Sequence, residues 1–548
     1  MSDHNYLFIS DFHVSQGRDP ETGKLSRNED FFYDDAFARF LVYHAKLAER
    51  YQDDKFYERP WVLVINGDLF DFLHVTRIPD PENRELLEKT IGKSELTENE
   101  KDFGLGTTSR ETAWKLRQIY MGHPLLFQAL GWFLACGKHK IVILKGNHDI
   151  ELYWPAVQKS CRQLVVEAYE QWDDKTKRGL LPDSPLPTIE KPLPLKADTV
   201  SQRIEFPKWF YYEPGLFYAE HGNQYEPASA VDDFLEPILE EDKNKLPEEQ
   251  HIKLPRGSFL IRYFFTQIEQ VHPFADNIKP VGRYIRWSLT KEPWATFRLI
   301  IANPSKIRRA IMELKNKPNI EAKESFRRVA MPLDADLQRK LLSLRYEHQK
   351  KVKESQSEVT RDTFGGVALN SATIYLVLRA IRDFVRGRYG AMASNLVAAA
   401  AAFVGGTRLS NRLDYVDQYQ LLHEAAAEIC YLLNRPGQDE PASVRYHIMG
   451  HDHTPEVMEI DDPNKDKERI PYRQWYINTG SWLPTIGYRP QLIREKVQLA
   501  FFRLIPGLYD DDHDVPQLLE WQPDKGAVVP IQLLEPSYHG KTKQNDKG

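Results

Sequence analysis

Short apolar runs recur along the chain, and each one stops at a cluster of polar residues. YLFIS (residues 6–10) ends at Asp11, WVLVIN (61–66) at Gly67–Asp68, and the run IVILK ends at Gly146–Asn147–His148–Asp149. Further on, GLFYAE precedes His221, VRYHIM precedes Gly450–His451, and QWYIN precedes the segment TGSW. Runs this short, rich in Val, Ile, Tyr and Phe and bounded by Gly or Asn, predict buried strands.

A different period separates them. In DDAFARFLVYHAKLAERY (34–51) the apolar residues return at helical spacing, and TAWKLRQIYMGHPLLFQALGWFLACG (112–137) is a second helical stretch. Strands alternating with helices predict an α/β domain, a class that places functional residues at strand ends. Positions 222–449 interrupt the alternation with a long, mostly helical region. The expected organisation is therefore a core in two parts, 1–221 and 444–535, around a helical insertion at 222–443. A disordered tail is expected at 536–548.

The insertion has its own patterning. Residues 251–317 hold thirteen Lys/Arg against four Asp/Glu, with aromatics interleaved. Residues 371–406 begin as an amphipathic helix, with Ile374, Val377, Leu378, Ile381 and Val385 on one face and Arg379, Arg382 and Arg386 on another. The uncharged stretch 391–406 falls short of the roughly 18–20 residues a membrane span requires, so a buried or interfacial helix is expected, with the alanines at 398–402 packed closely. No transmembrane segment is predicted.

Composition narrows the class. A chain of 548 residues with 41% hydrophobic and 28% charged residues can bury a sizeable core, and its net charge of −6 disfavours wholesale wrapping by nucleic acid. Three scattered cysteines, never in a CxxC pair, predict neither a disulfide framework nor a thiolate zinc site. The opening MSDHNYLFIS lacks the basic start and long apolar stretch of a signal peptide, so a cytoplasmic location is expected, with the insertion allowing contact with the inner face of a membrane.

The strand ends carry the chemistry. In chain order they present Asp11-x-His13, Gly67-Asp68-x-x-Asp71, Gly146-Asn147-His148-Asp149, His221 and Gly450-His451-x-His453. Singly, each is weak: DDH at 511–513 also fits the first pattern. Together they form a set of carboxylate, imidazole and amide ligands with no thiolate, suited to two borderline divalent ions such as Mn2+, Fe2+ or Zn2+.

This order resembles the calcineurin-like metallophosphoesterase family, whose pattern is DxH, GDxxD, GNH(D/E), H and GHxH. The resemblance implies a four-layer α/β/β/α sandwich with a dinuclear metal centre at the strand ends, Mn2+ being the first expectation. It implies that Asp11, His13 and His453 hold one ion, that Asn147, His221 and His451 hold the other, and that Asp68 bridges. It further implies His148 as general acid toward the leaving oxygen, Asp149 as the residue that orients it, and Asp71 as support. NTGSW (478–482) resembles the family's late strand and turn beside the site.

Substrate class follows less directly. GDLFDFL and GNHDI depart from the GDxxDRG and GNHE of the family's protein phosphatases. SDFH, GDLFDF, GNHD, EHGNQ and GHDHTP are closer to the branch that cleaves UDP-2,3-diacylglucosamine at its pyrophosphate, although the insertion is much longer and Asp452 stands where that branch has Thr. The expectation is hydrolysis of a phosphodiester or pyrophosphate, lipid- or nucleotide-linked, with Arg379, Arg382 and Arg386 as candidate substrate contacts. The alternatives are a nucleic-acid phosphodiesterase using the basic stretch, and a non-catalytic scaffold on the same fold.

Overall fold

In the computed structural model, the described residues are 2–51, 55–173, 195–226, 229–231, 233–265, 333, 335–348, 376, 379–380, 382–383, 386–412, 418–434, 444–460, 473–484, 497–508 and 515–532. They form a mixed α/β structure with two mixed sheets. In the first sheet β1 (Asn5–Ile9), β2 (Trp61–Asn66), β3 (Lys140–Leu144) and β4 (Ile204–Glu205) run parallel. Antiparallel strands β10 (Ala500–Leu504), β11 (Leu518–Gln522) and β12 (Ala527–Pro530) extend it beyond β1. The second sheet has the order β5 (Tyr211–Glu213), β6 (Phe217–Ala219), β7 (Tyr446–Met449), β9 (Trp475–Thr479) and β8 (Pro455–Glu459), with β6, β7 and β9 parallel.

Both faces of the central strands are covered, which is why their sequences read as continuous apolar runs. One face of the first sheet (Tyr6, Phe8, Val62, Val64, Val142, Leu144) shares a buried cluster with Phe217, Ala219, Ile448, Trp475 and Ile477 of the second. Phe217 meets the Tyr6 and Phe8 rings edge-on at 4.9 and 5.0 Å. The opposite face (Leu7, Ile9, Leu63, Ile65, Ile141, Ile143) packs on helices.

Those helices are α1 (Asp34–Ala45), α5 (Ser109–Gly122), α6 (Pro124–Ala135) and α7 (Pro155–Asp173). The helical stretch read at 112–137 is broken into α5 and α6 at His123–Pro124, where proline takes the first position of the new helix. Smaller helices α2 (Leu47–Arg50), α3 (Arg84–Thr90), α4 (Glu98–Phe103) and α8 (Ala197–Arg203) fill the connections. Reciprocal capping boxes start α4 (Thr97 with Glu100) and α5 (Thr108 with Glu111).

The predicted insertion contains α9 (Arg256–Leu260), α10 (335–348), α11 (Tyr389–Arg412) and α12 (Gln418–Leu433). Buried residues of α12, among them Leu422, Ala425 and Ile429, belong to the core, and the helix lies against β7 and β9. Of the two expectations for 391–406, a buried helix or an interfacial one, α11 corrects the buried one. Ala399 is buried, but Leu396, Val397, Phe403 and Val404 are exposed, so the alanine stretch does not pack closely as a whole. The apolar face read from Ile374, Val377, Leu378, Ile381 and Val385 lies outside the described residues, as do the basic stretch from 266 to 317 and the tail. Among the described residues, no helix is long and apolar enough to cross a membrane.

Candidate metal centre

The C-terminal ends of β1, β2, β3, β6, β7 and β9, six parallel strands from two sheets, meet in one place. Asp11 and His13 follow β1, Asp68 and Asp71 follow β2, and Asn147 to Asp149 follow β3. His221 follows β6, and His451 and His453 follow β7. The turn after β9 closes the group: Ser10 Oγ lies 2.7 Å from Thr479 Oγ1 and donates to Gly480 O, while Asn478 Nδ2 donates to Gly450 O.

The backbone is forced to make this approach. The non-glycine residues with positive φ among those described are Asp11 (55°), His13 (49°), Asp68 (51°), His451 (75°) and His453 (65°). Left-handed backbone is costly for side chains of this kind and persists only where surrounding structure imposes it. All five are residues singled out as ligands. The motif glycines have a matching reason: a Cβ on Gly67 would overlap the His221 ring, and one on Gly146 would overlap Asp68 Oδ1. On Gly450 it would come within 2.6 Å of Asp11 Oδ2.

Ligand-type atoms converge. Asp11 Oδ1 lies 3.3 Å from His453 Nε2, 3.8 Å from His13 Nε2 and 4.0 Å from His221 Nε2. Asp68 Oδ2 lies 3.1 Å from His221 Nε2 and 3.6 Å from His13 Nε2, so one oxygen faces both ligand sets. Asp11 Oδ1, His13 Nε2, Asn147 Oδ1 and His221 Nε2 are buried with no hydrogen-bond partner. Four orphaned polar atoms in one buried place would each cost about 1–3 kcal/mol, and a shared cation would satisfy them. The residues therefore fit a metal: Asp11, His13 and His453 form one group able to hold an ion, and Asp68, His221 and His451 another.

Remaining bonds orient the donors. His221 Nδ1 is 2.9 Å from Asn66 O, and a carbonyl only accepts, so the ring carries its proton on Nδ1 and its lone pair on Nε2. The other oxygens of the two carboxylates accept from motif backbone: His148 N donates to Asp68 Oδ1 at 2.9 Å and His451 N to Asp11 Oδ2 at 3.0 Å. Burial alone would raise the Asp68 pKa; positive charge on the neighbouring His221, His148 and His13 rings outweighs it and holds the carboxylate ionised, a part that a bound cation would take over where the rings offer lone pairs.

One assignment is corrected. Asp149 does not orient His148. Its carboxylate, fully buried, accepts from Gly146 N at 2.7 Å and Leu69 N at 2.9 Å, tying the third motif to the second through backbone. Asp71 takes the orienting place instead, with Oδ2 2.8 Å from His148 Nδ1, 3.1 Å from His74 Nδ1 and 3.5 Å from His13 Nδ1. His13, Asp71 and His148 also satisfy the spacing of a metal group, and within it His148 Nδ1 and Asp71 Oδ2 stand at hydrogen-bond distance.

Two residues at the centre escaped the sequence reading: His74, three residues beyond Asp71, and Glu226, whose Oε2 lies 2.7 Å from His451 Nε2. Each stands near a motif, but neither belongs to a repeated strand-end pattern. Arg379, Arg382 and Arg386 are exposed, and among the described residues no contact joins them to the centre. Comparison with protein-family models, curated proteins and solved structures found no match.

Proposed function

We propose that the chain is a metal-dependent phosphoester hydrolase of the calcineurin-like metallophosphoesterase type, acting on a phosphodiester or pyrophosphate. The observation that carries this reading is the convergence of Asp11, His13, Asp68, Asn147, His221, His451 and His453 on one buried place, where Asp11 Oδ1, His13 Nε2, Asn147 Oδ1 and His221 Nε2 have no hydrogen-bond partner. Two sheets sharing an apolar interior, with helices against their outer faces, support the four-layer sandwich that this type implies.

Asp11, His13 and His453 would hold one divalent ion, and Asn147, His221 and His451 the other, with Asp68 common to both. When bound, such ions lower the pKa of a shared water and neutralise charge on phosphoryl oxygens. The protein's own contribution is positional. His221 presents Nε2 because Nδ1–H is committed to Asn66 O, and His148 is aligned because Nδ1–H is committed to Asp71. In its imidazolium form His148 then carries on Nε2 a proton available to the leaving oxygen, an effect worth typically ~10²–10⁴-fold.

The test is hydrolysis by metal-stripped protein given Mn2+, with a generic aryl phosphodiester and its monoester as substrates and Asp68→Asn as control. Diester turnover that vanishes in the variant is expected. Monoester turnover alone would move the assignment to a small-molecule phosphatase, and failure to bind any divalent ion would overturn it.

A further inference from the structure

Glu226 lies five residues beyond His221, at the root of the helical insertion, whereas His451 follows it. Their side chains meet across 225 residues of sequence, with Glu226 Oε2 2.7 Å from His451 Nε2. The contact is built rather than incidental. Ser229 Oγ donates to the same Glu226 oxygen at 2.6 Å, and the Ser229 and Ala230 amides donate to Glu226 O at 3.0 and 2.8 Å. Asn223 Nδ2 donates to Ser229 O at 3.0 Å, and Asn223, Ser229 and His451 are all buried. A carboxylate held by its own turn is thereby delivered to one nitrogen of one histidine.

A carboxylate only accepts, so this contact puts the His451 proton on Nε2 and leaves the ring's lone pair on Nδ1. The same device, with a carbonyl in place of the carboxylate, sets His221 in the opposite sense through Asn66 O. Histidines that ligate metals commonly give their second N–H to such a partner, which fixes ring orientation and raises ligand basicity.

We propose that Glu226 is the positioning residue of His451: it fixes the tautomer that offers Nδ1 to the second of the two ions, and so makes the root of the insertion part of the metal centre. The inference rests on the two-metal reading above. It assigns Glu226 no contact with substrate.

The experiment is a Mn2+ titration of the full-length chain, followed by electron paramagnetic resonance, for wild type, Glu226→Ala and Glu226→Gln. Wild type is expected to bind two ions. Glu226→Ala should weaken one of them by about 10- to 100-fold, the range for loss of a ligand's outer partner, and leave the other within about twofold. Glu226→Gln, which keeps an acceptor without the charge, should fall between. If Glu226→Ala does not fold, Glu226→Gln and Ser229→Ala carry the test, the latter with a smaller loss at the same single ion. Nitrogen-15 histidine spectra of the Mg2+-loaded protein supply a second readout: a ring protonated on Nε2 in wild type that loses that signature in Glu226→Ala. Two ions held equally well by wild type and variants would overturn the assignment of Glu226 and leave the two-metal reading standing. No ion in the wild type would overturn both.

Discussion

His148 Nδ1 and Asp71 Oδ2 are 2.8 Å apart, although the two residues leave different strands of the first sheet. Asp71 Oδ1 is itself fixed by the amides of Leu73 and His74, at 2.9 and 3.1 Å, so the ring is aimed by a carboxylate that cannot turn. His148→Asn should lower kcat by about 10²–10⁴-fold with Mn2+ content unchanged. Asp71→Asn should lower it less, and adding it to His148→Asn should cost far less than it does in wild type, because both changes remove one function. Equal losses in the two backgrounds would show that Asp71 acts through His13 and metal retention instead.

The motif glycines can be tested without touching a ligand. A methyl on Gly146 would overlap Asp68 Oδ1, which accepts from His148 N in the same turn, so Gly146→Ala must displace either the Asp68 carboxylate or the third motif. Loss of both ions and of all turnover is expected, read by metal analysis and hydrolysis. Gly390 is the control: a Cβ there meets nothing within 4 Å and the residue is helical, so Gly390→Ala should leave activity intact and stabilise slightly, by at most about 1 kcal/mol.

The contrast between these residues shows what the sequence made legible. Strand ends could be read because a buried strand has a local signature and each motif is contiguous, with its glycine beside the ligand it admits. Side-chain partnerships could not, because they depend on which loops the sheets bring together. Asp149 stands next to His148 in sequence yet bonds backbone, whereas Asp71 arrives from another strand and Glu226 from across the insertion. The choice between a buried and an interfacial helix at α11 stayed open for the same reason. An apolar helix needs a neighbour to be buried, and periodicity does not say whether one is present.

His123 offers a pH-dependent test remote from the centre. Its ring joins the loop after β1 to the junction of α5 and α6, with Nδ1 3.0 Å from Asp34 and Nε2 3.2 Å from Glu29. Burial would lower its pKa, but the two carboxylates outweigh burial and raise it to about 10. The folded value lies above the unfolded one, near 6.5, so this stabilisation is complete below about pH 6.5 and is lost as pH rises through about 10. Denaturant midpoints for wild type and His123→Gln should therefore differ most near pH 6 and converge toward pH 10. A gap that stays constant with pH would show that the ring matters for packing alone.

Arg262 tests whether the root of the insertion is anchored independently of Glu226. Its Nη2 donates to Gly104 O at 2.9 Å and Leu105 O at 2.6 Å, at the start of the loop that leads into α5, and the residue is buried. On the same segment, Ser258 Oγ donates to Asn147 O at 3.2 Å, so α9 touches the backbone of a candidate ligand. Arg262→Met keeps much of the apolar stem and removes the donors, leaving two carbonyls to find water. A cost of about 1–3 kcal/mol is expected in urea unfolding, since orphaned buried acceptors lose their full desolvation energy. Because Arg262 meets no ligand side chain among the contacts described, the variant should still bind two Mn2+ ions with wild-type affinity. A loss of metal without a loss of stability would mean that α9 acts on Asn147 directly rather than by holding the insertion in place.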